Sequence, residues 1–334
     1  MTFRRHATSA PARVALLLFP ALACVLALGA CQTTAPLNAD TFTKDGVLSG
    51  ATSTQERCAA LSDGVWVVVD GQGDCIRYYA GGLKDRNDVA VVNFFGDFGN
   101  FNFVQRYMLD ASSVPEASPE VLHGFAERVS KKVEVPIIVV ARPGTLGSSG
   151  NHANRWTKRN PLLMNAALDA IAARHHIDTY ALSGQSGGSF VVGALLPWRD
   201  DIRCAVMASS AASIMEVLMA DRPGTPVDFA RSYVYDPYDH IDEIKPNPDR
   251  TLYTLADKDD DITVYWAQKS FVDALRERGH DAVLIDQHGL GKFNHGLESQ
   301  SFVTAALCAQ KVPSRLIIEA LEALARKQAA EAGK

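Results

Sequence analysis

One serine in this 334-residue chain stands where a nucleophile could be made reactive. It is Ser186, in the run Tyr180-Ala181-Leu182-Ser183-Gly184-Gln185-Ser186-Gly187-Gly188-Ser189-Phe190. Gly184, Ser186 and Gly188 form a G-x-S-x-G pattern at the end of an apolar stretch, where a buried strand would turn sharply into a helix. Such a turn strains the serine and lifts its hydroxyl clear of the sheet. The glycines are needed because a Cβ would collide where strand and helix cross. A serine hydroxyl is a weak nucleophile by itself and needs a neighbouring base, usually a histidine steered by a carboxylate.

The carboxylate and the base must come from loops at the carboxyl ends of later strands, where a parallel sheet gathers its functional groups. Four aspartates directly follow the strand Thr251–Leu255: Asp257, Asp259, Asp260 and Asp261. An acidic loop at a helix start has its own electrostatic rationale, and composition alone leaves open which one turns inward. The triple aspartate lacks the ligand and glycine spacing of a calcium loop, and no metal is expected. Among the histidines, His123, His175, His176 and His280 lie in helical or turn contexts, His152 near a glycine-rich loop and His240 in a polar segment. Only His288 and His295 come after the last strand, in His288-Gly-Leu-Gly-Lys-Phe-Asn-His295-Gly-Leu. His288 lies closer to the strand, which favours His295 as the base.

The elements that must position these groups follow from periodicity and punctuation. Strands are expected at Val65–Val69, Cys75–Tyr79, Val89–Phe95, Pro136–Ala141, from Tyr180 into the Ser186 turn, and at Ile202–Met207, Thr251–Leu255 and Ala282–Ile285. Asp-Gly-Gln-Gly-Asp joins the first two as a hairpin. Helices are expected over Ser118–Lys132, from Asn160-Pro161 to Arg174, after Ser186, over Val264–Arg278, and from Ser299 onward. Strands alternating with helices, without internal repeats, give an α/β class with a mostly parallel central sheet covered by helices on both faces. Residues 54–334 are read as this domain, with a small excursion near 211–247.

The order strand, G-x-S-x-G, helix, Asp, His resembles the α/β-hydrolase fold. From Tyr235 to Leu297 the chain is similar, more narrowly, to the catalytic domain of the prolyl oligopeptidase and dienelactone hydrolase branch. Asp236-Pro237 stands before the acid strand, Ala256-Asp257-Lys258-Asp259 matches the acid motif, Leu275-Arg-Glu-Arg-Gly279 the helix ending, and His295-Gly-Leu297 the base motif. The resemblance implies Ser186 as nucleophile, Asp259 as orienting acid and His295 as base. It also implies an oxyanion hole from the backbone N–H of Gly187 and of a residue in Phe95-Gly96-Asp97-Phe98, Asp97 first and Phe98 next. Prolyl oligopeptidases use a tyrosine hydroxyl where Phe95 stands, and no propeller-sized segment precedes this domain. The expected activity is therefore cleavage of small carboxylic esters through an acyl-enzyme, without a cofactor. A peptidase or amidase is the alternative within the enzymes, and a non-catalytic envelope binding protein the alternative outside them. Arg142, in a glycine-rich loop, has two readings: a grip on a substrate carboxylate, or a structural ion pair.

Composition limits partners and compartment. The chain is 47% hydrophobic with a formal charge of −5, or −8 without the three arginines of its first thirty residues. No basic face for nucleic acid is expected. Met1–Arg13 is short and positive, Val14–Leu28 is apolar and interrupted by Pro20, and Leu28-Gly29-Ala30-Cys31 resembles the lipobox of bacterial lipoproteins. That resemblance implies cleavage before Cys31, a signal peptide over 1–30, and an acylated cysteine that anchors the protein to a membrane. Gln32 in place of aspartate implies the outer membrane, facing the periplasm. Residues 31–53, rich in Thr, Ala, Ser and Asp, are expected to be a flexible tether. In an oxidising compartment Cys58 and Cys75 are expected to pair, whereas Cys204 and Cys308 fit a bond or two buried thiols equally well.

Overall fold

A computed structural model describes residues 35–97, 117–221 and 227–332. Eight strands form one sheet in the order β1-β2-β4-β3-β5-β6-β7-β8. They are β1 Gly64–Val69, β2 Gln72–Gly81, β3 Ala90–Phe94, β4 Ile137–Val140, β5 Tyr180–Gln185, β6 Ile202–Ala208, β7 Thr251–Ala256 and β8 Asp281–Asp286. β1 and β2 are an antiparallel hairpin, β2 is antiparallel to β4, and every pair from β4 to β8 is parallel. The carboxyl ends of β3 to β8 therefore share one edge. This is the α/β-hydrolase fold.

The central strands read as continuous apolar runs because they are covered twice, and β3, β4 and the first five residues of β5 are buried along their length. α4 (Arg159–His175), α5 (Gly187–Leu195) and α8 (Tyr265–Glu277) contribute to the core on one face, with Phe190, Leu168, Ile171 and Phe271 fully enclosed. α3 (Pro119–Val133), α9 (Glu298–Ala309) and α10 (Ser314–Ala332) contribute Ala126, Phe302, Ala305 and Leu321 on the other. Between β6 and β7 the chain makes α6 (Ile214–Asp221), α7 (Val227–Tyr233) and a 3-10 turn at Pro237–Glu243, in the place expected for an excursion. Asp236 caps it, accepting from the N–H groups of Tyr238 and Met215.

The flexible tether expected through Ser53 is corrected: the described chain from Ala35 onward is folded, and Ala35–Lys334 is one compact unit. Thr43 caps α1 (Lys44–Ser49), Val47 is fully buried, and α2 (Gln55–Ala59) follows. Buried Thr41 accepts from the Gly147 N–H and donates to the Ser148 carbonyl. Ala51 and Gly150 exchange both backbone hydrogen bonds. Composition misled here because small polar residues can pair with a neighbouring loop instead of with water. The lipidation expected at Cys31 lies outside the described residues, as does Phe98.

Two disulfides join the elements. Cys58–Cys75 ties α2 to β2, and Cys204–Cys308 ties β6 to α9. Their separations of 17 and 104 residues correspond, by loop-closure entropy, to stabilisation of about 3 and about 4.7 kcal/mol. Among the described residues no helix is long and apolar enough to cross a membrane.

Candidate active site

Ser186 sits between β5 and α5 at φ 53° and ψ −122°, a conformation that non-glycine residues rarely hold. The flanking glycines make it sterically accessible. A Cβ on Gly184 would come within 2.5 Å of the Gly188 backbone, and one on Gly188 within 2.0 Å of the Phe94 carbonyl oxygen. Ser186 donates its N–H to the Ala208 carbonyl, which fixes the turn to the neighbouring strand.

His295 reaches the same edge from the loop after β8. Its backbone carbonyl accepts hydrogen bonds from Gln185 Nε2 at 2.8 Å and Ser209 Oγ at 2.7 Å. His295 is thereby pinned to the residue preceding Ser186 and to the end of β6. Its Nδ1 lies 2.9 and 3.0 Å from the two carboxylate oxygens of Asp260. With Nδ1 donating to a carboxylate, Nε2 is left as the acceptor, the tautomer a general base requires.

The carboxylate that meets His295 is that of Asp260, a correction to the expectation of Asp259. Asp257 Oδ1 accepts the Asp259 N–H, and its carbonyl the Asp260 N–H. This tight turn leaves Asp259 exposed and directs Asp260 inward. The Asp260 carboxylate also accepts from the N–H groups of Ile262 and Thr263 and from the Thr263 hydroxyl. Burial pushes the carboxyl up, but the His295 hydrogen bond and charge and the two N–H donors outweigh it, so the group lies below its ordinary value. Asp257, also buried, accepts the Gly289 N–H and so ties the acid loop to the histidine loop. His288 is almost fully exposed, 3.9 Å from that carboxylate.

The turn after β3 closes the site from the other side. A Cβ on Gly96 would lie 3.4 Å from Ser186 Cβ, and one on Gly187 would meet Asp97 Oδ1 at 2.0 Å. Asp97 is thus against the start of α5, where the first N–H groups of a helix have no partner within it. Its carboxylate is held by two buried arginines, Arg142 Nη1 at 2.7 Å and Arg155 Nε at 2.6 Å. Burial opposes its charge, and Arg155, Arg142 and His152 more than offset that, keeping it far below the usual carboxylate range. Burial and the Arg142 charge hold His152 well down, hence neutral at pH 7. Of its two readings, Arg142 follows the structural one: it also donates to the Phe95 carbonyl, and it anchors the turn whose Asp97 N–H was expected to bind an oxyanion. Arg155, Gln185 and Ser209 had no sequence signal, since each acts through the fold alone.

One half-buried carboxyl at the start of α9 is shifted from its ordinary value. Glu298 begins α9, accepts from Asn93 Nδ2 at 3.1 Å, and is pushed by burial up to about 7. A raised carboxyl favours the folded state when protonated. That contribution is complete below the unfolded value near 4.5 and is lost as pH rises through about 7. Glu298→Gln is expected to raise Tm at pH 8, by an amount corresponding to about 1 to 3 kcal/mol, and to give no gain at pH 4.5. Thermal melts at the two pH values check this.

No family model matches the sequence, and no curated protein matches it. Solved structures share the fold. Oligopeptidase B from Leishmania major superposes with a TM-score of 0.51 at 14% identity, over 75% of this chain and 36% of its own. Pyrococcus horikoshii acylaminoacyl peptidase gives 0.50 at 13%, over 78% and 41%. The Pyrococcus furiosus esterase Pf2001 gives 0.51 at 11%, over 77% and 94%. This chain thus spans about two fifths or less of the two peptidases and nearly all of the esterase. Among the described residues no cluster of three or more His, Cys, Asp or Glu is arranged to hold a metal.

Proposed function

We propose that this protein is a serine hydrolase that cleaves carboxylic esters through an acyl-enzyme on Ser186. The observation carrying this reading is the Asp260–His295 pair, joined through Gln185 to a serine at positive φ. His295 Nε2 takes the proton as Ser186 Oγ attacks the ester carbonyl, and the imidazolium formed is stabilised by Asp260. The alkoxide of the tetrahedral intermediate is bound by the N–H groups of Gly187 and Asp97, at the positive end of α5. The imidazolium then gives its proton to the leaving alcohol. A water, deprotonated by the same imidazole, releases the acid and restores the serine. The Arg142–Asp97–Arg155 cluster holds the oxyanion turn rigid and adds net positive charge behind it.

The reading extends to location. Cys31, after the lipobox-like Leu28-Gly29-Ala30, carries a lipid that holds the protein at the outer membrane, in the periplasm. Two disulfides agree with an oxidising compartment.

The test sets p-nitrophenyl esters beside peptide p-nitroanilides, with fluorophosphonate labelling of wild type and Ser186→Ala. The reading expects ester turnover and labelling that both vanish in Ser186→Ala. Turnover confined to anilides would make the protein a peptidase. A folded wild type that neither turns over nor labels would make it a binding protein.

A further inference from the structure

The loops that carry the acid and the base also expose large apolar side chains. Ile262, Trp266, Leu290 and Phe293 are each 42–54% exposed. They belong to one surface. The Asp261 N–H donates to the Phe293 carbonyl, Asn294 Nδ2 to the Asp259 carbonyl, and the Tyr265 hydroxyl to Asp286. Leu290 and Gly296 are bridged by two backbone bonds. At the opposite edge of the sheet, where α9 ends and α10 begins, Leu316 is the exposed large apolar residue among those described.

The first described residues lie on the same edge as these loops. Thr52 donates to the Pro36 carbonyl, and neighbouring Ala51 pairs with Gly150 in the loop after β4. Leu37 and Leu48 are exposed there as well. From Cys31 to Ala35 a fully extended chain reaches at most about 14 Å. A lipid on Cys31 would therefore hold this edge close to the bilayer and could not hold the opposite edge there.

We infer that the surface formed by Ile262, Trp266, Leu290 and Phe293 docks on a phospholipid bilayer, so that the Ser186 site faces the membrane it is tethered to. The inference rests on the anchor and hydrolase readings above. Lys258 and Lys292 stand among these residues with three aspartates, Asp259, Asp261 and the Asp286 that pairs with Lys258, so positive charge is not in excess. Without an excess of positive charge, docking draws on apolar insertion and not on anionic headgroups. An exposed tryptophan suits the depth where one end of a side chain is wet and the other dry.

The experiment uses the unlipidated chain from Gln32, which retains the whole compact unit, with phosphatidylcholine vesicles containing brominated acyl chains. Wild type should sediment with the vesicles in low and high salt, and its Trp266 fluorescence should be quenched. Trp266→Ser and Phe293→Ser should each weaken binding at least about tenfold. Ser186→Ala should dock like wild type, and Trp266→Ser should keep wild-type turnover of a soluble ester. These arms separate the surface from both the anchor and the catalytic reading. Absence of vesicle binding, or binding that ignores both substitutions, overturns the inference. So does dimerisation in solution that the same substitutions abolish, because the surface would then belong to a second copy.

Discussion

His295→Ala is expected to lower kcat for ester hydrolysis by about five to six orders of magnitude while leaving Tm within a few degrees. The size follows from what the imidazole does in both halves of the reaction. It accepts the Ser186 proton during attack and delivers it to the leaving alcohol, and later repeats the cycle with water. Among the described residues neither of the other nearby histidines can replace it, since His288 is almost fully exposed beside Asp257 and His152 is buried beside Asp97. The fold should tolerate the change because the backbone carbonyl of residue 295, not its ring, holds the loop to Gln185 and Ser209. KM should change little, as the ring contributes mainly in the transition state. Residual activity would reflect the oxyanion donors and substrate binding alone. Steady-state kinetics beside a thermal melt gives both numbers, and a loss below about tenfold would remove His295 from the role of base.

The parts of this site legible in the sequence are those with strict local requirements. The Ser186 turn needs glycines at fixed offsets because backbones meet there, as the contacts at Gly184 and Gly188 demonstrate. His295 stood out because glycines and a strand end surround it. The strands were legible from apolar runs that double-sided burial demands, and their boundaries fall within a few residues of those expected.

What stayed hidden depends on tertiary geometry. Which of Asp257, Asp259, Asp260 and Asp261 faces inward is decided by a turn closed through the Asp257 side chain, and the motif match pointed one residue short. Arg155 reaches Asp97 across 58 residues through contacts that no local pattern encodes. Cys204 and Cys308 are 104 residues apart, and only the packing of α9 on β6 brings them together. Thr41 and Val47 are buried although their surroundings are small and polar.

The most direct measurement for the proposed triad compares Asp260→Asn with Asp259→Asn on one soluble ester. An amide at residue 260 can still accept one hydrogen bond from Nδ1, but it neither stabilises the imidazolium nor enforces the required tautomer. The expected loss in kcat is about three to four orders of magnitude. Asp259 is exposed, and its contributions to the loop are from its backbone, the N–H donating to Asp257 and the carbonyl accepting from Asn294, so Asp259→Asn should stay within about twofold of wild type. Both proteins should fold and sediment as wild type does. If Asp259→Asn proved the damaging change while Asp260→Asn turned over normally, the Ser186–His295–Asp260 assignment would be wrong.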